Sequence, residues 1–475
     1  MADDTDVDVV VIGSGGAGLC AALMAYENGA RAILVAEAED VVGGSSRLSG
    51  GVVMGSGSRL QKAAGIEDHP DDLLHDYMQL NQWDVHHGPV STFTRRSGET
   101  VDWLADHGVR FFDRLIFGGD ERKPRSHCVD GAGQAVIDVL HSRCRELGID
   151  IALRRRVDRL IVEDGRVIGA QVGEDRITAG AVVVASGGFG ANPELLASHF
   201  PAAWHEGFTW YIGSDGAQGD ALGFAEQVGA QVVGRDRGLR TLTPAFGRLN
   251  EAFLPGWTVL LDPSGRRFAD ETAPYGILDG LVGAHGNAGF VVFDDAALRP
   301  PPELAERYRD SYKQVWPNHP PFRSRNYNAD IVDEMVGKQR IATSDTLEGL
   351  ADLIGVDPAV LVGEIERYNG HVEAGEDRDF GKSGKFLMPI GTPPFYAAAV
   401  RPATVNLTGC GLRIDGRGRV LDAHGGEIPG LFAAGECTGG VLGTRYMGSG
   451  NGMANALTMG RVAGESAALS LGSSC

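Results

Sequence analysis

Cysteine is scarce and scattered in this chain of 475 residues. The six cysteines occupy positions 20, 128, 144, 410, 437 and 475, and no two of them form a C-x-x-C pair. A disulfide framework or a zinc site would need paired or regularly spaced cysteines. Cys128 follows His127, but two adjacent residues do not make a metal site. We therefore expect buried, unreactive thiols and no bound metal.

Long apolar runs and an excess of basic residues are also missing. No run reaches the about 18 apolar residues that suggest a membrane span. The start, Met1-Ala-Asp-Asp-Thr-Asp, lacks the basic and apolar regions of a signal peptide. The chain has 43 basic and 63 acidic residues, which gives a formal charge of −20. Nucleic acid and anionic lipid both need a basic footprint, so we expect a cytoplasmic protein that binds neither.

Glycine is the residue in excess, with 69 copies against 21 prolines. No G-X-Y period accompanies it, which excludes collagen. The hydrophobic fraction of 43% is too high for a disordered chain. The composition therefore indicates a globular protein of two or three domains whose backbone approaches something closely at many places.

The N-terminal residues predict a β-α-β unit with parallel strands. The strands are residues 8–12 and 32–35, and the helix between them is Leu19–Asn28. Gly13-Ser-Gly15-Gly-Ala-Gly18 lies between the first strand and the helix, which is the order of a dinucleotide-binding fingerprint. A pyrophosphate binds the N-terminus of such a helix. Glu37 ends the second strand, where it would bind ribose hydroxyls and repel the 2′-phosphate of NADP.

The rest of the chain divides into a meander, a mixed middle region and a second Rossmann-like end. Residues 155–185 contain three strand patterns, and Asp164-Gly165 is a strong hairpin signal between two of them. Residues 428–436 read as a strand and 453–471 as a helix. We expect an α/β fold with an α+β cap, in which residues 1–240 and 386–475 form a Rossmann-like FAD-binding domain and residues 241–385 an inserted substrate-capping domain.

Further glycine clusters favour FAD over NAD. They are Gly43-Gly-Ser-Ser46 with Ser49-Gly-Gly51, then Ser186-Gly-Gly188, and finally Gly435-Glu436. An extended flavin dinucleotide needs backbone contacts along its whole length, which separate clusters supply.

The chain resembles the flavoproteins that include fumarate reductase and the 3-ketosteroid dehydrogenases. The resemblance covers nearly the whole chain, and it is closest to the 3-ketosteroid dehydrogenase-like branch. Its motifs are Gly13–Gly18 with Glu37, GGSSRLSGG (43–51), VVVASGGFGANPE (182–194), GAQGDA (216–221), GRRFADETAPYG (265–276), YAAAVRPATVNLTGCGLRID (396–415), IPGLFAAGECTGG (428–440) and RYMGSGNGMANALTMGR (445–461).

The resemblance implies bound FAD. The residues expected to bind it are Gly13, Gly15, Gly16, Ala17, Gly18, Glu37, Ala38, Gly43, Gly44, Ser45, Ser46, Ser49, Gly50, Gly51, Val157, Ala185, Ser186, Gly187, Asp220, Gly435, Glu436, Asn451 and Met453. Relatives with covalent flavin have a histidine several residues before the paired glycines. Gly44 occupies that place here, so the resemblance implies non-covalent FAD.

Two tyrosines indicate the substrate class. Fumarate reductases have arginines where this chain has Tyr275 and Tyr446, and arginine suits a carboxylate because it forms bidentate charge-assisted bonds. The 3-ketosteroid dehydrogenases have tyrosines at both places. By resemblance, Tyr275 is the catalytic base, and Tyr446 with the Gly450 amide binds the ketone oxygen. Two such donors would stabilise the enolate formed when a proton leaves the neighbouring carbon.

Several residues depart from that branch. The region Arg110–Phe117 has no tyrosine where ketosteroid 1,2-dehydrogenases have an assisting one, and Gly448 replaces the serine of the 4,5-dehydrogenases. Arg445 neighbours Tyr446 and keeps a carboxylate substrate open. His127 is expected to be structural.

These observations predict an FAD-dependent CH–CH oxidoreductase that converts a cyclic, 3-ketosteroid-like ketone to an enone. The first alternative is an enoate or dicarboxylate reductase, or a tricarballylate-type dehydrogenase. The second is a flavin-bearing electron-transfer subunit of a complex. No second dinucleotide fingerprint is visible, so an external electron acceptor is expected. The oligomeric state and the direction of the reaction stay open.

Overall fold

The structure, a computed structural model, describes residues 5–119, 121–246, 250–311, 317 and 324–472. The strands are β1 Val7–Ile12, β2 Ile33–Ala36, β3 Val52–Met54, β4 Ser126–Cys128, β5 Asp150–Ala152, β6 Arg159–Glu163, β7 Arg166–Val172, β8 Asp175–Val184, β9 Trp210–Tyr211, β10 Val232–Val233, β11 Gly238–Pro244, β12 Val259–Leu261, β13 Gly289–Asp294, β14 Ala342–Ser344, β15 Phe395–Thr408, β16 Gly411–Arg413, β17 Arg419–Leu421, β18 Glu427–Ala433 and β19 Thr438–Gly439. The helices are α1 Gly16–Glu27, α2 Gly44–Leu48, α3 Arg59–Ala63, α4 Pro70–Leu80, α5 His87–Asp106, α6 Ala132–Glu146, α7 Pro193–His199, α8 Asp220–Val228, α9 Tyr275–Ala284, α10 Asp295–Leu298, α11 Ala305–Arg309, α12 Ala329–Gly337, α13 Leu347–Ile354, α14 Pro358–Ala374 and α15 Asn451–Leu471.

The chain divides into two units. The first comprises residues 1–201, 213–239 and 406–475, and the second comprises 202–212 and 240–405. The predicted cap, 241–385, falls within the second unit, but that unit also takes in 386–405, which the sequence analysis gave to the other domain. The reason is strand pairing, because residues 395–400 of β15 pair with β13.

The first unit is built on a mostly parallel sheet in the order β17-β18-β8-β1-β2-β5. The parallel pairs β1–β2 and β1–β8 meet in register at Val9, opposite Ile33 and Ala181. β8 is also the last strand of the predicted meander, because β6, β7 and β8 pair antiparallel. The turn between β6 and β7 is Asp164-Gly165, and both residues have positive φ (47° and 78°) as a type I′ turn requires.

Helices α1 and α15 pack together at unusually close range in this unit. A Cβ at Gly460 would lie 2.3 Å from the carbonyl oxygen of Ala17, and one at Gly464 would lie 2.1 Å from that of Ala21. Glycine and alanine repeat every four residues on the two facing helices, so backbone meets backbone. Part of the glycine excess therefore serves helix packing.

The predicted α/β fold is confirmed, with small shifts at element ends. α1 begins at Gly16 rather than Leu19, and α15 begins at Asn451 rather than Met453, so both helices start directly at their glycine turns. β6 begins at Arg159, and Val157 lies in the loop before it.

The second unit is a mixed α+β structure. Its sheet runs β11-β15-β13-β12, and β9 and β14 also pair with β15. Buried apolar residues on the two sides of this sheet form two clusters, one with Trp257 and Phe293 and one with Leu361 and Tyr368. Among the described residues, no helix has the length and apolar character needed to cross a membrane.

Candidate cofactor and substrate site

The turn after β1 needs glycine for steric reasons. Gly13 has φ +103°, and a Cβ there would lie 2.4 Å from the carbonyl oxygen of Ala185. A Cβ at Gly18 would lie 1.9 Å from the carbonyl oxygen of Gly13, so helix and turn are in direct contact. The nearest heavy atoms to a Cβ at Gly15 are 3.8 Å away. The turn is closed on its protein side and open at Gly15, which is the position where a pyrophosphate meets the backbone.

Glu37 stands at the carboxyl end of β2, against this turn. Its Oε2 accepts hydrogen bonds from the Ser14 amide (2.8 Å) and the Ser14 hydroxyl (2.5 Å). Its Oε1 accepts one from the Glu39 amide (2.8 Å), beside half-buried Ala38. A carboxylate has about four acceptor positions, so Glu37 can still accept a bond from a ribose hydroxyl.

The serine-rich segment after β2 closes over the start of α1. Gly43 and Gly44 open the short helix α2 with positive φ. Ser46 Oγ accepts a hydrogen bond from the Gly16 amide (3.1 Å), and Ser45 Oγ accepts one from the Ser214 amide (3.0 Å). The segment therefore ties the glycine turn to residues from a distant part of the chain.

The end of this segment approaches α15. Ser49 Oγ lies 3.7 Å from the sulfur of Met453 and donates to the carbonyl oxygen of Ser46 (2.8 Å). Gly50 is exposed, and Gly51 has φ +66° with its amide on Ser49 Oγ (3.3 Å). Residues 43–51 and Met453 thus lie together in the structure.

The loop after β8 places a buried polar atom beside a glycine with open space around it. Ala185 continues the sheet by donating its amide to the carbonyl oxygen of Ile12 (2.8 Å). Ser186 Oγ is buried and has no hydrogen-bond partner among the described residues. Gly187 has φ +73°, and no heavy atom lies within 4 Å of where its Cβ would stand. A buried polar atom without a partner beside open space calls for a polar ligand.

The start of α15 presents more buried polar atoms of the same kind. Asn451 Oδ1, Asn455 Oδ1 and Thr458 Oγ1 are buried and have no partner within the described part of the chain. Their spacing of four and three residues puts them on one helix face. The sequence analysis missed Asn455 and Thr458, although a polar stripe on an otherwise buried helix is a visible signal.

Gly435 and Glu436 follow β18 and face the same region. Gly435 packs near Ala17, which lies 3.0 Å from its Cβ position. Glu436 Oε1 accepts hydrogen bonds from the amide (2.7 Å) and hydroxyl (2.9 Å) of Thr408. Burial raises the pKa of Glu436 to about 7, against the effect of these bonds. This carboxyl can therefore donate or accept a hydrogen bond near neutral pH.

Val157 and Asp220 lie on the Glu37 side. Val157 is buried in a loop whose Arg155 amide donates to the carbonyl oxygen of Glu37 (2.7 Å). Both oxygens of Asp220 accept from Nη1 of Arg156 (2.6 and 2.8 Å). Burial raises the pKa of Asp220 and the charge of Glu37 adds to this, while Arg156 opposes both. Asp220 is therefore held in an ion pair with Arg156.

These features fit an extended dinucleotide. The unpartnered Asn451 and Asn455 oxygens lie in the first turns of α15. Gly15, Ser186 with Gly187, and Glu37 follow the carboxyl ends of β1, β8 and β2, which are neighbours in the sheet. This is the edge at which parallel sheets bind nucleotides.

The segment before α15 holds the second group of predicted residues. Tyr446 Oη accepts a hydrogen bond from the Gly452 amide (2.7 Å) in the first turn of α15. Gly450 has φ +93° and caps this helix, and no described residue accepts a hydrogen bond from its amide. Burial raises the pKa of Tyr446, so its hydroxyl stays protonated at neutral pH.

Arg445 precedes Tyr446 and makes one side-chain hydrogen bond among the described residues. Its Nη1 donates to the carbonyl oxygen of Thr444 (3.0 Å), and its amide donates to Asn81 Oδ1 (3.0 Å). A guanidinium has five N–H donors, so this one side-chain bond leaves Arg445 able to bind a carboxylate.

Tyr275 belongs to the second unit, where it is the first residue of α9. It is buried, with 6% of its surface exposed, and packs edge-to-face on Phe253 at 5.0 Å. The loop that leads to it is anchored by Glu271, which pairs with Arg267 through two hydrogen bonds (2.8 and 3.0 Å). Lys382 adds a third contact with Glu271 at 3.1 Å.

His127 is structural, as the sequence suggested. It is fully buried, and Nδ1 donates to the carbonyl oxygen of Val53 (3.1 Å) while Nε2 accepts from Ser58 Oγ (2.7 Å). Burial lowers its pKa to about 4, so the ring is neutral. The described cysteines are buried and unpaired.

One cluster in the second unit has the spacing of metal ligands. It consists of His371, Asp377 and Asp379. Asp377 Oδ2 accepts from Arg267 Nη2 (2.7 Å) and from the Lys382 amide (3.1 Å), and its Oδ1 accepts two further amides. Its oxygens are therefore already used by the protein.

Comparison with known proteins agrees with this geometry. The FAD binding domain family FAD_binding_2 matches residues 8–453. A cytochrome-type fumarate reductase of Shewanella frigidimarina is 31% identical over 97% of this chain and 77% of its own length. A urocanate reductase of Eggerthella lenta is 29% identical over 98% of this chain and 75% of its own length.

A solved structure is similar along its whole length. It is the 3-ketosteroid-Δ4-(5α)-dehydrogenase of Rhodococcus jostii RHA1 in complex with 4-androstene-3,17-dione, which is 26% identical with a TM-score of 0.78. The similarity covers 98% of this chain and 97% of that one. The chain belongs to the FAD binding domain family and is an FAD-dependent oxidoreductase of the fumarate reductase and 3-ketosteroid dehydrogenase group.

Proposed function

We propose that the protein dehydrogenates a cyclic, 3-ketosteroid-like ketone to the α,β-unsaturated ketone. When bound, FAD supplies the hydride acceptor at its N5 position. The protein's own residues bind the ketone oxygen, remove a proton from the α carbon and exclude water.

The observation that carries the proposal is the arrangement of donors at residues 446–452. The Tyr446 hydroxyl accepts the Gly452 amide, and in this proposal it donates to the substrate oxygen. The Gly450 amide, four residues further on, is a second donor without a described acceptor. Neutral, preorganised donors suit a ketone that becomes an enolate, whereas a carboxylate favours the fork of arginine.

Tyr275 is the proposed base. Loss of the α proton to its oxygen and departure of the β hydrogen as hydride leave a carbon–carbon double bond next to the carbonyl. This assignment rests on the resemblance of residues 270–275 to the catalytic tyrosine segment of the 3-ketosteroid dehydrogenases.

The test is Tyr275→Phe. The variant should lose turnover of a saturated 3-ketosteroid with an artificial electron acceptor, while its bound FAD stays at the wild-type level. Tyr308→Phe is the matched control, because Tyr308 is a buried tyrosine of the same unit whose hydroxyl has no hydrogen-bond partner among the described residues. Full activity of Tyr275→Phe would overturn the assignment.

An enoate or dicarboxylate reductase is the second candidate. It is favoured by the curated relatives, which include a fumarate reductase at 31% and a urocanate reductase at 29% identity. Reoxidation of the chemically reduced flavin by fumarate, but not by a cyclic enone, would select it. A role as an electron-transfer subunit would instead show as no turnover of the isolated chain with any artificial acceptor.

We also infer that FAD is held without a covalent bond and that an external molecule receives its electrons. The first inference rests on Gly44, which stands where covalently flavinylated relatives have a histidine. Acid precipitation should leave all yellow colour in the supernatant, and flavin retained in the protein pellet would contradict it.

A further inference from the structure

The loop before β4 lies directly against the segment that carries the proposed oxygen-binding amide. Gly119 and Gly448 form an antiparallel β-bridge, and the Ser449 amide donates to the carbonyl oxygen of Gly118 (2.9 Å). A Cβ at Gly118 would lie 2.7 Å from the Ser449 carbonyl oxygen, and one at Gly448 would lie 2.7 Å from the Gly119 nitrogen. The two segments therefore meet as bare backbone.

Two buried side chains hold this contact in place. Glu121, 7% exposed, accepts the Gly118 amide on Oε1 (3.1 Å) and the Gly119 amide on Oε2 (2.7 Å). Ser126, fully buried in β4, donates its hydroxyl to the carbonyl oxygen of Ser449 (2.7 Å). Its other contact, with Glu121 Oε1, is longer at 3.5 Å.

The peptide between Ser449 and Gly450 links this arrangement to the substrate. Its carbonyl oxygen is the acceptor for Ser126, and its N–H is the Gly450 amide. In a trans peptide these two groups point in opposite directions. Fixing the carbonyl therefore fixes the direction of the N–H, and the hydrogen bond on the carbonyl polarises the N–H as a donor.

The peptide between Gly118 and Gly119 works in the same way. Its N–H donates to Glu121, and its carbonyl oxygen accepts from Ser449. Burial raises the pKa of Glu121 to about 7, and in either protonation state a hydrogen bond that it accepts from the N–H strengthens the carbonyl of that peptide as an acceptor. Glu121 thus acts on the Ser449 amide, one peptide before the Gly450 donor.

We propose that Ser126 and Glu121 are positioning residues that aim and polarise the Gly450 amide toward the substrate oxygen. The proposal rests on the proposed function, because it takes Gly450 as a donor to that oxygen. Neither residue touches the substrate in this account. Their effect should be largest when negative charge develops on the oxygen.

The test compares three holoenzyme variants: Ser126→Ala, Glu121→Gln and the control Ser97→Ala. Ser97 is also a buried serine whose hydroxyl donates to a backbone carbonyl, that of Thr94 (2.9 Å). Two quantities are measured. The first is the rate of flavin bleaching at a saturating concentration of a 3-ketosteroid, compared with the dissociation constant of that ketosteroid. The second is amide hydrogen exchange in peptides that span 444–455.

The flavin of Ser126→Ala should bleach about tenfold more slowly than that of the wild type, a smaller effect than the about 10²–10³-fold loss of rate when an oxyanion-hole donor itself is removed. The dissociation constant of the ketosteroid should change less than about threefold. Exchange across 444–455 should become faster in Ser126→Ala and Glu121→Gln and stay unchanged in Ser97→Ala. Unchanged exchange overturns the inference, and so does faster exchange with an unchanged bleaching rate. If the wild-type flavin is not bleached by any ketone, the proposed function fails, and the exchange measurement still decides whether these side chains hold the segment.

Discussion

Replacing Tyr446 with phenylalanine removes one oxygen atom that has two roles. The hydroxyl accepts the Gly452 amide at 2.7 Å, and in the proposed function its proton binds the substrate oxygen. Loss of the first role leaves one amide of the first turn of α15 without an acceptor, which costs about 1 kcal/mol of stability. Loss of the second removes a donor from the developing enolate, which lowers the rate about 10²–10³-fold.

The loss of rate and the loss of stability are measured separately. Anaerobic stopped-flow mixing of the variant with a saturated 3-ketosteroid should show flavin bleaching slowed about 10²-fold or more, with FAD content and melting temperature close to wild type. Burial raises the pKa of Tyr446 above its usual value of 10, so the loss should be the same at every pH from 6 to 9. Tyr308→Phe is the control. A Tyr446→Phe rate within threefold of wild type would refute the role of this hydroxyl.

Three further predictions concern the cofactor, the second unit and pH. Gly13→Ala should abolish FAD retention, because the new Cβ would lie 2.4 Å from the carbonyl oxygen of Ala185. The control Gly223→Ala, where no heavy atom lies within 4 Å of the new Cβ, should retain FAD, and absorbance near 450 nm measures both. Arg267→Met breaks a buried ion pair and should lower the free energy of unfolding by about 3–5 kcal/mol. Its thermal midpoint should therefore lie below that of the control Arg176→Met, which replaces an exposed arginine. The pKa of Glu436 is raised from 4.5 to about 7, so the folded apoprotein binds its proton more tightly than the unfolded chain. The free energy of unfolding should therefore fall as the pH rises from 4.5 to about 7. Urea titrations should show a smaller fall for Glu436→Gln, and the same dependence on pH in the variant would contradict the raised pKa of Glu436.

The sequence allowed the fold class to be predicted because its signals are local. A strand, three spaced glycines, a helix, a strand and Glu37 follow one another within the first 37 residues, and each has one structural meaning. Asp164-Gly165 likewise predicts its hairpin. Element ends were less accurate, since the start of α15 depends on the glycine turn at Gly450 rather than on apolar spacing.

The parts that escaped prediction depend on contacts between distant residues. Nothing in the spacing of Glu121 and Ser126 shows that the loop they hold contacts residues 448–450, which lie more than three hundred positions later. Gly460 and Gly464 could be counted as part of the glycine excess, but only the packing of α15 on α1 shows that they serve helix contact. The predicted boundary at 385/386 differs from the division of the structure, because β15 continues the sheet of the second unit to residue 405 before the chain returns to the first.

The most direct test of the proposed function is an anaerobic stopped-flow comparison of two mixtures with the wild-type holoenzyme. Oxidised enzyme is mixed with a saturated 3-ketosteroid, and dithionite-reduced enzyme is mixed with fumarate. Proposed ketone dehydrogenation predicts rapid bleaching near 450 nm in the first mixture and no rapid recovery of absorbance in the second. Rapid recovery with fumarate and no bleaching with the ketone would contradict it and select the dicarboxylate reductase.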